Sequence, residues 1–536
     1  MPSEHRLHPA SILFALVGSL KAFALPALLL FVSSLRSSPA GGGGGGGGWG
    51  PSRIINGVIP DSMELENWQV WLLLLLVPAT GAAIIRFLTF HVRYEGGELV
   101  IRSGLLFRNE RHVPYGRIQN LDATRTLMHR LFNVAEVRIE TGGGAEPEAR
   151  ISVLHMTVFE EMRRRVFEGR AEATLAAAPA ADVDQPPAPL QESRTLLHLP
   201  VPELLLLGVL ENRGLLLVGA AYGALWETGL QGWFWESVTS GLYEPGLLRE
   251  AGRSVAVGRL PPFWLVGVLA GGLLGLVLLV RLLSMVWVGA KLYGFRLSRV
   301  GNDLRTEYGL FTRVTATIPL GRIQTLTLRD TPLQRLVGRM SVRVETAGAK
   351  PRQENGSQSP RERLAPIIRT AAVPALVREV MPHTDPGTLV WQPVHPRAFR
   401  RAIKPMLILV AAGSIGTVTL LGWRGWPIVV AAIAWAMLVT YKQVQRLAWA
   451  STDDVVALRS GWLWRSLTIA PVAKIQTVMA IESPFDRRAS MTGVRVDTAG
   501  GGDLTQRIQI PYLARDTARA LLARLSTQAA QTTFRW

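Results

Sequence analysis

Gly309-Leu310-Phe311-Thr312-Arg313, then Pro319, then Arg322-Ile323-Gln324-Thr325-Leu326, then Val342-Arg343-Val344-Glu345-Thr346: this stretch decides how the chain is read. It runs earlier as Gly104-Leu105-Leu106-Phe107-Arg108, Pro114, Arg117-Ile118-Gln119-Asn120-Leu121 and Val137-Arg138-Ile139-Glu140-Thr141. It runs later as Gly461-Trp462-Leu463-Trp464-Arg465, Pro471, Lys474-Ile475-Gln476-Thr477-Val478 and Val494-Arg495-Val496-Asp497-Thr498. In every copy Gly to Pro is 10 residues, Gly to Ile is 14, and Ile to the first Val is 19. Several residue types recurring at fixed offsets mark an internal triplication, so the fold is to be read in units of it.

Each unit begins close to an apolar stretch. Residues 11–35 read as a transmembrane helix interrupted by Lys21 and Pro26, with a cleaved signal as the alternative. Gly41–Gly48 follows as low-complexity linker, and Trp68–Phe90 as a second span with Arg86 near its end. Leu204–Leu210 and Gly214–Trp226, interrupted by Glu211-Asn212-Arg213, read as an interfacial turn leading into a third span. Phe263–Val288 is the fourth and carries Arg281. Ile403–Leu421 and Trp426–Leu447, joined by Gly422-Trp423-Arg424-Gly425, are a fifth and sixth in an antiparallel hairpin.

The expected domains are two spans with a Gly-rich loop (1–90), unit one (91–170), a disordered linker (171–200) and two spans (201–290). Unit two (291–382), a linker (383–402), two spans (403–447) and unit three (448–529) follow. Lys350–Arg363 reads as a polar loop inserted in unit two. Two crossings between successive units place all three on one side of the bilayer. The arginine carried by the units, against Arg424 alone in the last loop, makes that side the cytoplasmic one. The localisation expected is the plasma (inner) membrane.

Bulk composition agrees with such segregation: 48% of the residues are hydrophobic and 18% charged. The net charge is +18, almost wholly from arginine, a residue suited to phosphates and carboxylates. A preference for arginine codons together with the positive-inside rule accounts for it equally. Cysteine is absent, which excludes disulfides, zinc–thiolate centres and thiol nucleophiles.

Within a unit, period-two alternation dominates, as in Val137-Arg138-Ile139-Glu140. The repeated glycine reads as a hairpin turn, and the repeated proline as a strand start or edge. Helical stripes close each unit: Val158, Met162 and Val166; Val373, Leu376, Val377 and Val380; Ala518, Leu521, Leu522 and Leu525. The fold class is therefore a multi-pass α-helical membrane protein with three β-rich domains, each a small barrel or sandwich capped by a C-terminal helix.

The Ser-Gly-Leu…Pro-x-x-Arg-Ile-Gln-x-Leu…Val-x-Ile-Glu-Thr pattern between paired spans resembles the bacterial pleckstrin-homology-like (PH-like) membrane-flanked domain family, of the YdbS/YdbT type, in three copies. The resemblance implies PH-like units of two roughly orthogonal sheets and a helix. The third unit departs from it at Lys474, Asp497 and Pro484-Phe485-Asp486.

Candidate lipid- or partner-binding residues are Arg108, Arg313 and Arg465, four positions after the turn glycine, with Arg117, Arg322 and Lys474. Exposed strand arginines with no ligand fit the same positions. Arg138 and Glu140 with their equivalents read as a structural ladder or a protein-binding surface. Lys21 and Arg281 are intramembrane charges, which mark a transport path or a helix partner. The nine histidines form no ligand spacing, and there is neither a nucleophile elbow nor a phosphate-loop lysine, so no enzyme, metal or cofactor is expected. The expected function is a membrane-anchored interaction scaffold presenting its units on the cytoplasmic face. Its partners would be the bilayer, anionic headgroups or a smaller membrane protein of the same family, and no nucleic acid. The rival is a transporter or an envelope-stress or antimicrobial-resistance protein acting through its helices.

Overall fold

A computed structural model describes residues 4–6, 8–14, 17, 80–81, 84–85, 87–95, 97–105, 108–141, 149–176, 194–227, 232, 236, 263–347, 363–382, 384–499 and 508–531. Most of the first two expected spans, with Lys21, Arg86 and the glycine run, lies outside the described residues. So do most of the 171–193 stretch and the polar loop of unit two.

Unit one comprises β1 (Glu4–Arg6), β2 (His91–Glu95), β3 (Glu98–Ser103), β4 (Asn109–Pro114) and β5 (Ile118–Thr126). The short α1 (Leu127–Leu131), β6 (Val134–Thr141), β7 (Ala149–His155) and the closing α2 (Met156–Ala176) complete it. Unit two starts with β8 (Arg194–His198) and three membrane helices, α3 (Val201–Leu210), α4 (Gly214–Glu227) and α5 (Phe263–Leu292). It continues through β9 (Arg296–Val300), β10 (Asp303–Tyr308), β11 (Thr312–Pro319), β12 (Ile323–Asp330), α6 (Pro332–Leu336), β13 (Arg339–Thr346), β14 (Arg363–Arg369) and α7 (Val373–Val380). Unit three repeats the order: β15 (Gln392–Pro393), the membrane helices α8 (Ala398–Leu421) and α9 (Trp426–Arg446), β16 (Ala448–Ser451), β17 (Val455–Ser460) and β18 (Arg465–Pro471). It ends with β19 (Ile475–Ile481), α10 (Pro484–Arg488), β20 (Met491–Thr498), β21 (Ile508–Ala514) and α11 (Arg515–Gln531).

Local chemistry explains the repetition. The turn glycines have positive φ, +116° at Gly309 and +82° at Gly461, and a Cβ there would lie 2.0 and 1.9 Å from a backbone oxygen across the turn. Only glycine fits such a turn. The repeated proline ends its strand rather than starting one: Pro114, Pro319 and Pro471 are the last residues of β4, β11 and β18, before a single 3-10 turn. Thr126, Thr331 and Ser483 each cap the following short helix through the side-chain oxygen. Pro484-Phe485-Asp486 thus occupies the same helical turn as its counterparts, and the departure in sequence leaves the local structure unchanged.

The sheets do not respect the unit boundaries. One runs β7-β6-β5-β11-β10-β9-β8 and a second β14-β13-β12-β18-β17-β16-β15, both fully antiparallel. The last three strands of one unit thus continue into the first four of the next. The four-stranded β1-β2-β3-β4 sheet and the three-stranded β19-β20-β21 sheet are left at the two ends.

Three cores lie between these sheets, closed by the helices the stripes predict. Met162 and Val166 are buried in unit one, Leu376 and Val377 in unit two, and Leu521 and Leu525 in unit three. The middle core also takes in Ala450, Val455, Ala457 and Ile469 of unit three, so the second junction shares apolar packing as well as a strand pair.

The expected linkers are shorter than 171–200 and 383–402. β8 and β15 fall inside them, α2 continues to Ala176, and α8 already begins at Ala398. Each of these strands precedes a membrane hairpin and pairs with the strand that follows it, β8 with β9 and β15 with β16. The chain therefore leaves and returns on the same side, and all three units share one aqueous face.

Among the described residues α5, α8 and α9 are long and apolar enough to cross a membrane, and α3 with α4 passes the same test only as a pair, bent by 65° at the break between them. The interfacial turn expected at Glu211-Asn212-Arg213 is this bend. Leu274 and Leu278 on α5, Ile408 and Leu409 on α8, and Val430 and Trp435 on α9 stand exposed, a surface suited to lipid. At the bend Arg281 donates to the Val209 carbonyl (2.7 Å) and to Asn212 Oδ1 (2.6 Å), and Ser284 Oγ donates to the Glu211 carbonyl (2.9 Å). The backbone groups freed by the break are satisfied by α5. Arg281 acts here as a helix partner.

Candidate functional site: an arginine cleft between the second and third units

Both junctions are built in one register. Arg313 faces Arg125 across β11 and β5, and the equivalent Arg465 faces Asp330 across β18 and β12. Neighbouring pairs keep step: Val314 with Thr124 and Ser466 with Arg329, then Thr315 with Ala123 and Leu467 with Leu328.

A second device reinforces each junction. Arg130, on α1, donates to the Leu310 carbonyl of the next unit's hairpin (3.1 Å). Its equivalent Arg335, on α6, donates to the carbonyls of Trp462 (3.0 Å) and Leu463 (2.9 Å). Sequence reasoning missed this clasp, although its signal is there: Arg130, Arg335 and Arg487 all follow the repeated isoleucine by 12 residues.

The junctions differ in charge. At the first, Arg313 is paired with Glu307 (3.0 Å) and is solvent-exposed. At the second, the position of Glu307 is taken by Arg459. Arg446, the last residue of α9, comes alongside. Arg329, Arg446, Arg459 and Arg465 with Asp330 line a cleft of about 310 Å³, floored by Leu328, Met340 and Leu467. Four guanidinium groups thus share the cleft with one carboxylate.

Arg465 is half-buried and its Nε has no hydrogen-bond partner. Burial lowers its pKa first, and the neighbouring Arg446 and Arg335 lower it further. Asp330 is raised by burial, against the pull of Arg335, Arg465 and Arg446. The cleft therefore holds more positive charge than its own carboxylate balances. An anion with several oxygens, such as a phosphate, is its chemical complement.

The other sequence candidates scatter. Arg108 and Arg117 are exposed on unit one, at the end of the array away from the cleft. Lys474 reaches back across the junction and donates to the Gly321 carbonyl (2.6 Å), beside the half-buried Arg322. Lys474 thereby ties unit three to unit two. The Arg–Glu ladder also resolves as structure in the middle unit, where Glu345 is buried and accepts from Thr325 Oγ1 (3.1 Å).

Residues 25–170, 255–380 and 406–529, more than half of the chain, match the family described as bacterial PH domain. The chain belongs to the bacterial PH domain family. Its three matched regions each take in most strands of one unit, and the second and third also take in α5 and much of α8 with α9. It is similar to the UPF0699 transmembrane protein YdbT of Bacillus subtilis (strain 168), 22% identical over 435 residues, covering 78% of this chain and 81% of that protein. No solved structure matches. For a bacterial PH protein of this build, the arginine cleft is a feature of one junction and not of the repeated unit, because Arg446 and Arg459 have no arginine at the equivalent positions in unit two, Gly294 and Glu307.

Proposed function

We propose that the chain is a scaffold of the plasma membrane, holding its three PH-like units on the cytoplasmic face and gripping the phosphate of an anionic lipid headgroup in the arginine cleft. The observation that carries this is the placement of the cleft at the end of α9. A span delivers Arg446 directly to it, and Arg329, Arg459 and Arg465 complete a guanidinium cluster at a level where lipid phosphates would lie. The arginine excess on the units, against the lone Arg424 in the opposite turn, supports the cytoplasmic orientation. The role is binding, not catalysis.

The transporter reading rests on charge inside the spans. Arg281 is engaged by the carbonyls of a broken helix, which leaves it a structural task.

The test is phosphatidylglycerol retention by the full chain in nanodiscs that otherwise hold only phosphatidylcholine, followed by native mass spectrometry. Arg459→Gln with Arg465→Gln should weaken retention by about tenfold or more, since charged hydrogen bonds contribute on the order of 1.5–3 kcal/mol each. Asp330→Asn should strengthen it severalfold by removing the competing carboxylate. Equal retention by all three proteins would refute the cleft. Competition by free inorganic phosphate at similar concentration would show that the site takes a soluble anion instead.

A further inference from the structure

Among the described residues the array has an unfilled place at its third-unit end. β5 and β12, the first strands of the second halves of units one and two, are each covered by the fourth strand of the following unit, β11 or β18. Their counterpart β19 is an edge strand among the described residues. The consequence is visible in burial. On β12, Leu326 and Thr327 are 0% exposed, whereas on β19 Met479 is 40% exposed, Ala480 is open and Val478 half-open. An apolar strand edge of this kind pairs readily with another strand.

The clasp is in place as well. Arg487 stands on α10 where Arg130 and Arg335 stand on α1 and α6, and it is exposed. In the two filled junctions that arginine holds hairpin carbonyls of the incoming unit. The guanidinium of Arg487 has no hydrogen-bonded partner among the described residues.

The chain's own free end does not fit this place. In the register of both junctions, β4 of a second copy would set Arg108 opposite Glu482, Glu110 opposite Ala480 and His112 opposite Val478. The first pairing is favourable. The other two would put an acid and a histidine where the filled second junction has Leu467 and Ile469 against Leu328 and Leu326. β4 is exposed along Asn109-Glu110-Arg111-His112, and Glu110 is bound to Arg102 (2.7 Å) and His112 (3.3 Å). Charged strands of this kind resist edge pairing.

We propose that the edge formed by β19 and Arg487 is the docking site for a PH-like unit carried by a separate chain, one whose fourth strand is uncharged where β4 bears Glu110, Arg111 and His112. The incoming strand continues the sheet in the register of the two internal junctions, and its hairpin carbonyls accept Arg487. This rests on the scaffold reading but not on its lipid cleft, which lies one junction away.

The test uses the full chain in detergent, with a variant supplying the surrogate partner strand. Glu110→Thr, Arg111→Ala and His112→Thr install the residues that unit two carries at these positions, Thr315, Ala316 and Thr317. Because the chain has no cysteine, Arg108→Cys and Glu482→Cys report the contact as an interchain disulfide, and Asp330→Cys with Arg465→Cys reports the folded internal junction. Residues directly opposite in such a ladder are close enough to bridge. The neutralised chain should form head-to-tail oligomers and the 108–482 disulfide, with Arg487→Ala reducing both about tenfold or more. A neutralised chain that stays monomeric while its 330–465 disulfide forms would overturn the docking site. A 108–482 disulfide of equal yield without neutralisation would overturn the separate partner in favour of a second copy. Either failure is separate from lipid retention by the cleft, which is measured on chains that keep Asp330 and Arg465, and loss of the cleft leaves this contact intact.

Discussion

Residue by residue, the repeated positions divide into those that shape the backbone and those that join units. Gly309 and Gly461 shape it: the turn needs positive φ and leaves no room for a Cβ. Gly309→Ala should cost more than about 1 kcal/mol, read as a lowered midpoint of thermal unfolding, because strain and contact act together. Asp486 joins α10 to the start of α8, accepting from Arg401 Nε (2.7 Å) and from the Ser483 backbone N–H (3.0 Å). Burial alone would raise its pKa, but the hydrogen bonds from Ser483 and Arg401 outweigh it and hold the carboxyl below its ordinary value of 3.8. Its contribution is therefore complete above that value and lost as pH falls through the lowered one. Acid titration of unfolding should be less steep below about pH 4 in Asp486→Asn than in the parent. An identical acid limb in both would contradict the assignment.

At the level of elements, two contacts carry more than their length suggests. The bent pair α3–α4 lies so close to α5 that a Cβ on Gly214 would sit 1.9 Å from the Val280 carbonyl oxygen. Gly214→Leu should therefore separate these helices, seen as faster proteolysis at the bend, while the same change at the open Gly219 should not. The junction clasp is the other contact. Arg335 holds two carbonyls and Arg130 one, so Arg335→Ala should loosen its junction more than Arg130→Ala does. Hydrogen exchange in β18 should then rise relative to β11, by a factor corresponding to about 1.5–3 kcal/mol per lost charged bond. The short helix that presents these arginines was not read from the sequence, although Thr126, Thr331 and Ser483 signal its start, and its role has no local signal because the acceptors are backbone carbonyls 127–180 residues away.

For the whole molecule, the pairing of β8 with β9 and of β15 with β16 puts the units on a common face. Single cysteines at Arg117, Arg369 and Arg519, in the three units, should react with an impermeant maleimide from one side of sealed vesicles only. Trp423→Cys, in the last hairpin turn, should react from the other. Labelling of one unit from the opposite side would break the topology. Repeat spacing and hydropathy alone determined the triplication, the hairpins of apolar helices, the capping helices and the shared sidedness, because all of these follow from periods and counts along the chain. They also marked the arginines that follow each turn glycine. Only the tertiary structure decided that the two seven-stranded sheets cross unit boundaries, that Arg465 and not Arg108 or Arg313 sits in a cationic cleft, and that, among the described residues, the array ends in one charged edge and one apolar edge. Those outcomes depend on which strand lies beside which, and edge-to-edge pairing between units is a long-range contact that no local spacing records.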